Sequence, residues 1–206
     1  VVKRQLATGF ALAVLALTTR AFAADARVQV KDSEQRALAD AVVYALPDTP
    51  EHAKPHTVAI IDQIDKQFAP RIAVIETGTE IEFPNSDNIR HSVYSFSPAK
   101  SFELKLYAGK LTNPLLFDKS GLVTLGCNIH DQMAAWLLVV DTPFFGRTGT
   151  DGNVTLHDLP PGHYRLVAWY PSMSEAGEAR EFTIGATPGS PQSFSLPVRP
   201  IGEQGL

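Results

Sequence analysis

The sequence predicts an all-β protein, and three observations carry that prediction. Fifteen prolines and fourteen glycines in 206 residues punctuate many short Val, Ile, Leu and Phe clusters, as expected of strands joined by turns. Glu80-Ile81-Glu82-Phe83 alternates with a period of two, the pattern of a half-buried strand. The stretch from Ala134 to Val140 is short and continuously apolar, like a strand covered on both faces.

The chain opens with Lys3 and Arg4, an apolar stretch over 6–17 and then Ala21-Phe22-Ala23, the pattern of a secretory signal peptide over 1–23. Its apolar core is too short to span a membrane, and no later stretch approaches the roughly 20 apolar residues a span needs. The mature chain is therefore expected to begin near Ala24, to lack a membrane span and to be periplasmic, a retained N-terminal anchor being the alternative. The formal net charge is −4, and losing Lys3, Arg4 and Arg20 with the leader removes three positive charges and no acid, leaving −7. An acidic chain argues against nucleic acid or an anionic membrane as partner.

After the leader no segment carries a helical stripe. Strands are expected near 27–31, 40–46, 57–61, 71–75, 80–83, 90–95, 120–126, 134–140, 153–157, 163–170, 179–184 and 192–198. The polar run over 31–36 is a turn, and His52 and His56 fall in a polar, proline-containing loop over 47–56. Asp62-Gln63-Ile64-Asp65-Lys66 carries two carboxylates without calcium-loop spacing and is expected to be a β-turn. Asp151-Gly152 is a hairpin signal, and Pro160-Pro161-Gly162 sets a second tight turn. His157 and His163 flank that turn and are expected at the surface, whereas Trp136 and Trp169 are expected in a core or an interface. Residues 26–46, with Ala39-Asp40-Ala41-Val42, and residues 148–170, with Leu159-Pro160-Pro161-Gly162-His163-Tyr164, together resemble the carboxypeptidase regulatory-like (transthyretin-like) β-sandwich. The resemblance implies a sandwich of residues 26–50 plus 145–200, into which a second β-domain over 55–142 is inserted. Two tandem domains preceded by a strand hairpin are the alternative.

The chemistry is expected in the inserted region. Cys127 is the only cysteine, so no disulfide can form within the chain, and an exported protein seldom keeps a spare thiol without a use for it. Gly126-Cys127-Asn128-Ile129-His130-Asp131-Gln132-Met133 places a thiolate, an imidazole and a thioether on one loop between two expected strands. A second imidazole, His91, follows Pro84-Asn85-Ser86-Asp87-Asn88-Ile89-Arg90. Two imidazoles and a thiolate with a weak axial thioether are the donors of a type 1 (blue) copper site, where soft sulfur suits Cu(I) and imidazole also suits Cu(II). Zinc competes for Cys and His, but a thioether is a poor zinc ligand. The alternatives are a buried apolar role for Cys127, a polar strand-end role for His91 and core packing for Met133.

Gly78-Thr79-Glu80-Ile81-Glu82-Phe83, Asn85, Asp87, His91 and Val93, followed by Cys127-x-x-His130-x-x-Met133, resemble the cupredoxin family. The ligand-loop spacing is similar to that of amicyanin. Over about 27–170 the chain resembles periplasmic cupredoxin-like proteins of the methylamine-utilisation type. The resemblance implies a Greek-key β-sandwich, equatorial copper ligands His91, Cys127 and His130, and Met133 as axial ligand. The chain departs from many family members at Ser92, where an asparagine often braces the ligand loop, and at Leu125, where an aromatic is common.

With all four ligand positions filled by protein, electron transfer is favoured over substrate activation. The chain is therefore expected to be a one-electron carrier and not an enzyme, cycling between a periplasmic dehydrogenase and a c-type cytochrome or similar acceptor. His130 would be the ligand nearest solvent, with Ile129, Asp131 and Gln132 forming the docking surface. A copper delivery, storage or sensing protein and a non-redox envelope interaction module are the alternatives. No nucleophile elbow, phosphate-binding glycine loop or helical zinc motif occurs, so hydrolase and nucleotide chemistry have no support.

Overall fold

The computed structural model describes residues 23–49, 57–110, 113–185 and 189–202. All of the expected signal peptide except Ala23, and the loop segment with His52 and His56, lie outside the described residues. The first described segment holds β1 (Ala24–Lys31) and β2 (Val42–Pro47). The middle of the chain holds β3 (Val58–Ile60), β4 (Asp62–Ile64), β5 (Gln67–Ala69), β6 (Ile72–Glu76), β7 (Thr79–Glu82), β8 (His91–Ser97), β9 (Lys100–Tyr107), β10 (Leu115–Phe117), β11 (Gly121–Gly126) and β12 (Ala134–Val140). The last part holds β13 (Phe145–Arg147), β14 (Asn153–Leu159), β15 (Gly162–Trp169), β16 (Glu178–Ile184) and β17 (Gln192–Ser195). No described residue is helical, so the fold is all-β, as the turn punctuation and the period-two segments imply. No helix among the described residues is long and apolar enough to cross a membrane.

Each expected strand is present, and β4, β5, β9, β10 and β13 are additional. Of these, β9 has a sequence signal: Phe102 and Leu104 are half-buried while Ser101, Glu103 and Lys105 point to solvent, the alternation of an edge strand. The turn at Asp65 and Lys66 joins β4 to β5, with both residues in left-handed backbone at φ 53° and 59°. This is the conformation a two-residue hairpin loop demands. The Asp151-Gly152 turn makes no simple hairpin, because β13 pairs with β2 whereas β14 pairs with β1. Its Gly152 lies at φ 73°, and an added Cβ would meet the Val30 carbonyl oxygen at 2.6 Å. The Val30 N–H donates to the Gly152 carbonyl at 2.8 Å, so the turn docks on β1 and passes the chain from one sheet to the next.

Two sheets built from the middle of the chain face each other. One has the order β10-β7-β3 and the other β6-β12-β11-β8-β9. The chain passes between them repeatedly, with β6, β8, β9, β11 and β12 in the larger sheet and β7 and β10 in the smaller, the crossing pattern of a Greek-key sandwich. Ile81, Phe117 and Phe83 meet Ile75, Val93, Val123, Leu125, Leu137 and Val139 in the core between them. The first and last strands form two further sheets, β14-β1-β17 and β13-β2-β15-β16.

β12 joins the two halves of the molecule. Its Ala135, Leu137 and Val139 enter the Greek-key core. Leu138 and Val140, on the opposite face, enter the core built with β2, β15 and β1 residues such as Val43, Leu166 and Val28. A strand covered on both faces must be apolar at consecutive positions, which explains the unbroken run from Ala134 to Val140. Leu137 is fully buried, and Leu137→Ala is expected to destabilise the chain by about 2–5 kcal/mol. Urea titration should show a lower midpoint at an unchanged slope.

Candidate metal centre

The strand register brings the first two candidate ligands together. β8 and β11 run antiparallel with Gly126 opposite Tyr94, so Cys127, one residue past the end of β11, comes alongside the start of β8. The Tyr94 ring lies over Gly126, where a Cβ would stand 2.6 Å from it, so any larger residue would have to displace the ring. A register irregularity between His91 and Val93 in the β8–β9 pairing marks a bulge, a device that re-aims side chains. His91, Ser92 and Val93 are consequently all buried, although a regular strand would turn the middle one outward. His130 arrives on the loop between β11 and β12, where its carbonyl accepts from the Met133 N–H at 2.9 Å.

The donor atoms of His91, Cys127 and His130 all lie within 4.8 Å of one another. His91 Nδ1 stands 3.9 Å from Cys127 Sγ, and the two imidazole rings are 4.9 Å apart between centroids, inclined at 57°. Nδ1 of His130 is buried without a hydrogen-bond partner, a costly state for a polar nitrogen that a bound cation would relieve. A thiolate and two imidazole nitrogens fit copper or zinc. Met133 is buried and borders the same shallow depression as Cys127, Gly126, Tyr94 and Asp131.

The surroundings favour an ionised sulfur. Burial pushes the Cys127 thiol up, but the N–H groups of Ile129 and Ser92 and the Ser92 hydroxyl outweigh it and hold the thiol below its ordinary range. Ser92 serves twice, because its hydroxyl lies 3.7 Å from Sγ as a donor and accepts the Asn128 N–H at 2.9 Å. It thus fastens the loop that follows β11 to β8, directly beside His91. Leu125 sits in the core beneath the loop.

The 84–90 loop is held by residues for which the sequence offered no individual role. Asn85 donates through Nδ2 to the Ile89 and Tyr107 carbonyls at 2.9 Å each and exchanges backbone hydrogen bonds with Gly109. Tyr107 donates to the Phe83 carbonyl at 2.7 Å and accepts from Gln63 Nε2 at 2.6 Å. Burial pushes its phenol up to about 12. Asp87 accepts from His91 Nε2 at 2.7 Å. Burial pushes its carboxyl up, but the Lys66 N–H, the His91 ring and the Asp65 N–H together hold it below the usual carboxylate range.

Exposure separates the candidate ligands. His91 and Met133 are enclosed at 0% and 1%, Cys127 at 3%, and only His130 is partly open to solvent. Ile129, Asp131 and Gln132 around it are exposed. The other predicted positions fall outside the site: His157 and His163 are exposed on β14 and β15, Trp169 is fully buried, and Trp136 packs half-buried against the core of the outer sheets.

No protein-family model matches the chain, and neither does any curated protein compared with it. Among solved structures, a copper-containing nitrite reductase from Thermus scotoductus SA-01 aligns with 47% of this chain and 27% of its own, at 21% identity and a TM-score of 0.39. A reduced point mutant of amicyanin aligns with 48% of this chain and 98% of its own, at 14% identity and a TM-score of 0.38. Pseudoazurin from Methylobacterium extorquens AM1 aligns with 41% and 76%, at 21% identity and a TM-score of 0.35. These alignments cover less than half of this chain, and the candidate metal centre stands on its own geometry.

In the metal-free chain the Cys127 thiolate absorbance near 240 nm is expected to titrate with a midpoint below the ordinary ~8.5. Because the folded value lies below the unfolded one, the thiolate contributes stability that is complete above the unfolded pKa and fades as pH falls through the folded one. Ser92→Ala removes a donor and an anchor of the loop, and should move the midpoint upward.

Proposed function

We propose that this protein is a periplasmic type 1 copper protein that carries single electrons between redox partners. The observation that carries the proposal is the convergence of one low-pKa thiolate and two imidazoles within 4.8 Å, with a single one of them at the protein surface. His91, Cys127 and His130 would be the equatorial ligands and Met133 the axial one. Copper held there would supply a Cu(II)/Cu(I) couple.

The chain's own residues would do the rest. His91 and Cys127 sit where water is excluded, and the Ser92–Asn128 hydrogen bond and the Asn85 contacts hold the ligand loops in place, so little need move on redox change. Partly open His130 would pass the electron to a partner, and Ile129, 49% exposed, with Asp131 and Gln132 would form the rim that the partner covers. Such redox contacts are small and transient. An acidic carrier gains on-rate from a basic patch on its partner, and salt weakens the encounter. A periplasmic dehydrogenase as donor and a c-type cytochrome as acceptor fit that role. Enclosure of His91, Cys127 and Met133 favours a retained ion over one delivered elsewhere. The two outer sheets, from 26–50 plus 145–200, would form a sandwich that presents the copper domain over 55–142.

Loading the purified chain with Cu(II) is expected to give an intense visible thiolate-to-copper charge-transfer band and narrow copper hyperfine splitting in EPR, both lost in Cys127→Ser. Copper binding without the band, or a band that survives in Cys127→Ser, would show that the thiolate is not a ligand. Met133→Leu should keep the band and raise the reduction potential, because the axial ligand tunes it. A colour that does not bleach on reduction would contradict electron carriage.

A further inference from the structure

We propose that Asp87 is a positioning residue of the metal centre: held by the β4–β5 turn, it fixes His91 as the Nε2–H tautomer and leaves Nδ1 as a free lone pair facing Cys127. The proposal rests on the metal-binding role argued above and extends it to a hairpin that supplies no ligand.

Asp87 Oδ2 lies 2.7 Å from His91 Nε2. An ionised carboxylate can only accept, and a neutral imidazole carries one N–H, so the proton belongs on Nε2. Nδ1 is then the nitrogen left to bind a metal, and it is also the one 3.9 Å from Sγ. Asp87 is itself held. Its Oδ1 accepts the Asp65 N–H at 2.7 Å, and its Oδ2 accepts the Lys66 N–H at 2.9 Å. Left-handed backbone at both turn residues directs successive N–H groups at one anion, as in other anion-binding turns. The hairpin is fastened to the same loop a second time, because Asp62 accepts the Ser86 hydroxyl at 2.7 Å and the Ser86 N–H at 3.2 Å. A carboxylate behind a ligating histidine orients the ring and raises its basicity. A more basic ligand favours Cu(II) over Cu(I), so Asp87 should lower the reduction potential as well as aim the ring.

Nitrogen-15 NMR of the metal-free full chain reads the tautomer directly. The wild type should show His91 protonated at Nε2 and bare at Nδ1. Asp87→Asn and Asp87→Ala should displace the Asp65 and Lys66 amide resonances, raise the reduction potential of the copper-loaded protein and weaken copper retention against a chelator by about 10–100-fold. Asp87→Glu should recover part of that retention. A wild-type His91 protonated at Nδ1 would overturn the proposal whatever the variants do, and so would a potential and copper affinity unchanged in Asp87→Asn. If the tautomer is as stated but copper gives no thiolate band, the copper assignment fails and the positioning of His91 stands.

Discussion

The pairing of β8 with β11 is the constraint on which the site depends. Gly126 must lie opposite Tyr94 for Cys127 to arrive beside His91, and a shift of one residue would turn the thiol to the other face of the sheet. The absence of a side chain at Gly126 lets the Tyr94 ring close over it. The bulge next to His91 turns the imidazole inward, and Ser92 closes the gap by binding the Asn128 N–H. A thiol, two imidazoles and a hydroxyl are thereby held at the end of a sandwich by ordinary sheet geometry, with His130 as their one partly exposed member.

The rest of the fold keeps that end rigid. β12 leaves the ligand loop and is packed on both faces, inward on the Greek-key core and outward on the core of the outer sheets. Parallel pairing with β6 adds a third restraint. The loop from Cys127 to Met133 is thus held between two well-packed strands, the kind of preorganisation that would let the proposed copper centre change charge with little rearrangement of its ligands. The polar cluster of Gln63, Asn85 and Tyr107 plays the same part for the loop leading to His91.

Much of this was legible in the residues. The all-β class followed from turn residues and alternation, and the doubly covered β12 from an unbroken apolar run. The grouping of Cys127 with His130 followed from their spacing, and His91 from the motif around it. What sequence could not show depends on contacts between distant segments. Asp87 is four residues from His91, but its role requires a hairpin turn more than twenty residues upstream, and nothing in Asp65-Lys66 announces that its N–H groups will meet a carboxylate. The bracing role of Ser92 depends on its hydroxyl meeting the Asn128 N–H, 36 residues away in sequence. Asp151-Gly152 suggested a local hairpin because the signal is local, whereas the partner strands are chosen by burial of Val30 and Leu156 in another sheet. The strand β9 was the exception, since its alternation was present in Phe102 and Leu104 and only its many charges obscured it.

Sulfur and two imidazoles bound to one copper ion form the central claim, and X-ray absorption at the copper edge of the loaded full chain tests it most directly. Copper held as proposed should show one sulfur and two nitrogen scatterers, the sulfur disappearing in Cys127→Ser. A shell of nitrogen and oxygen alone in the wild type would contradict it.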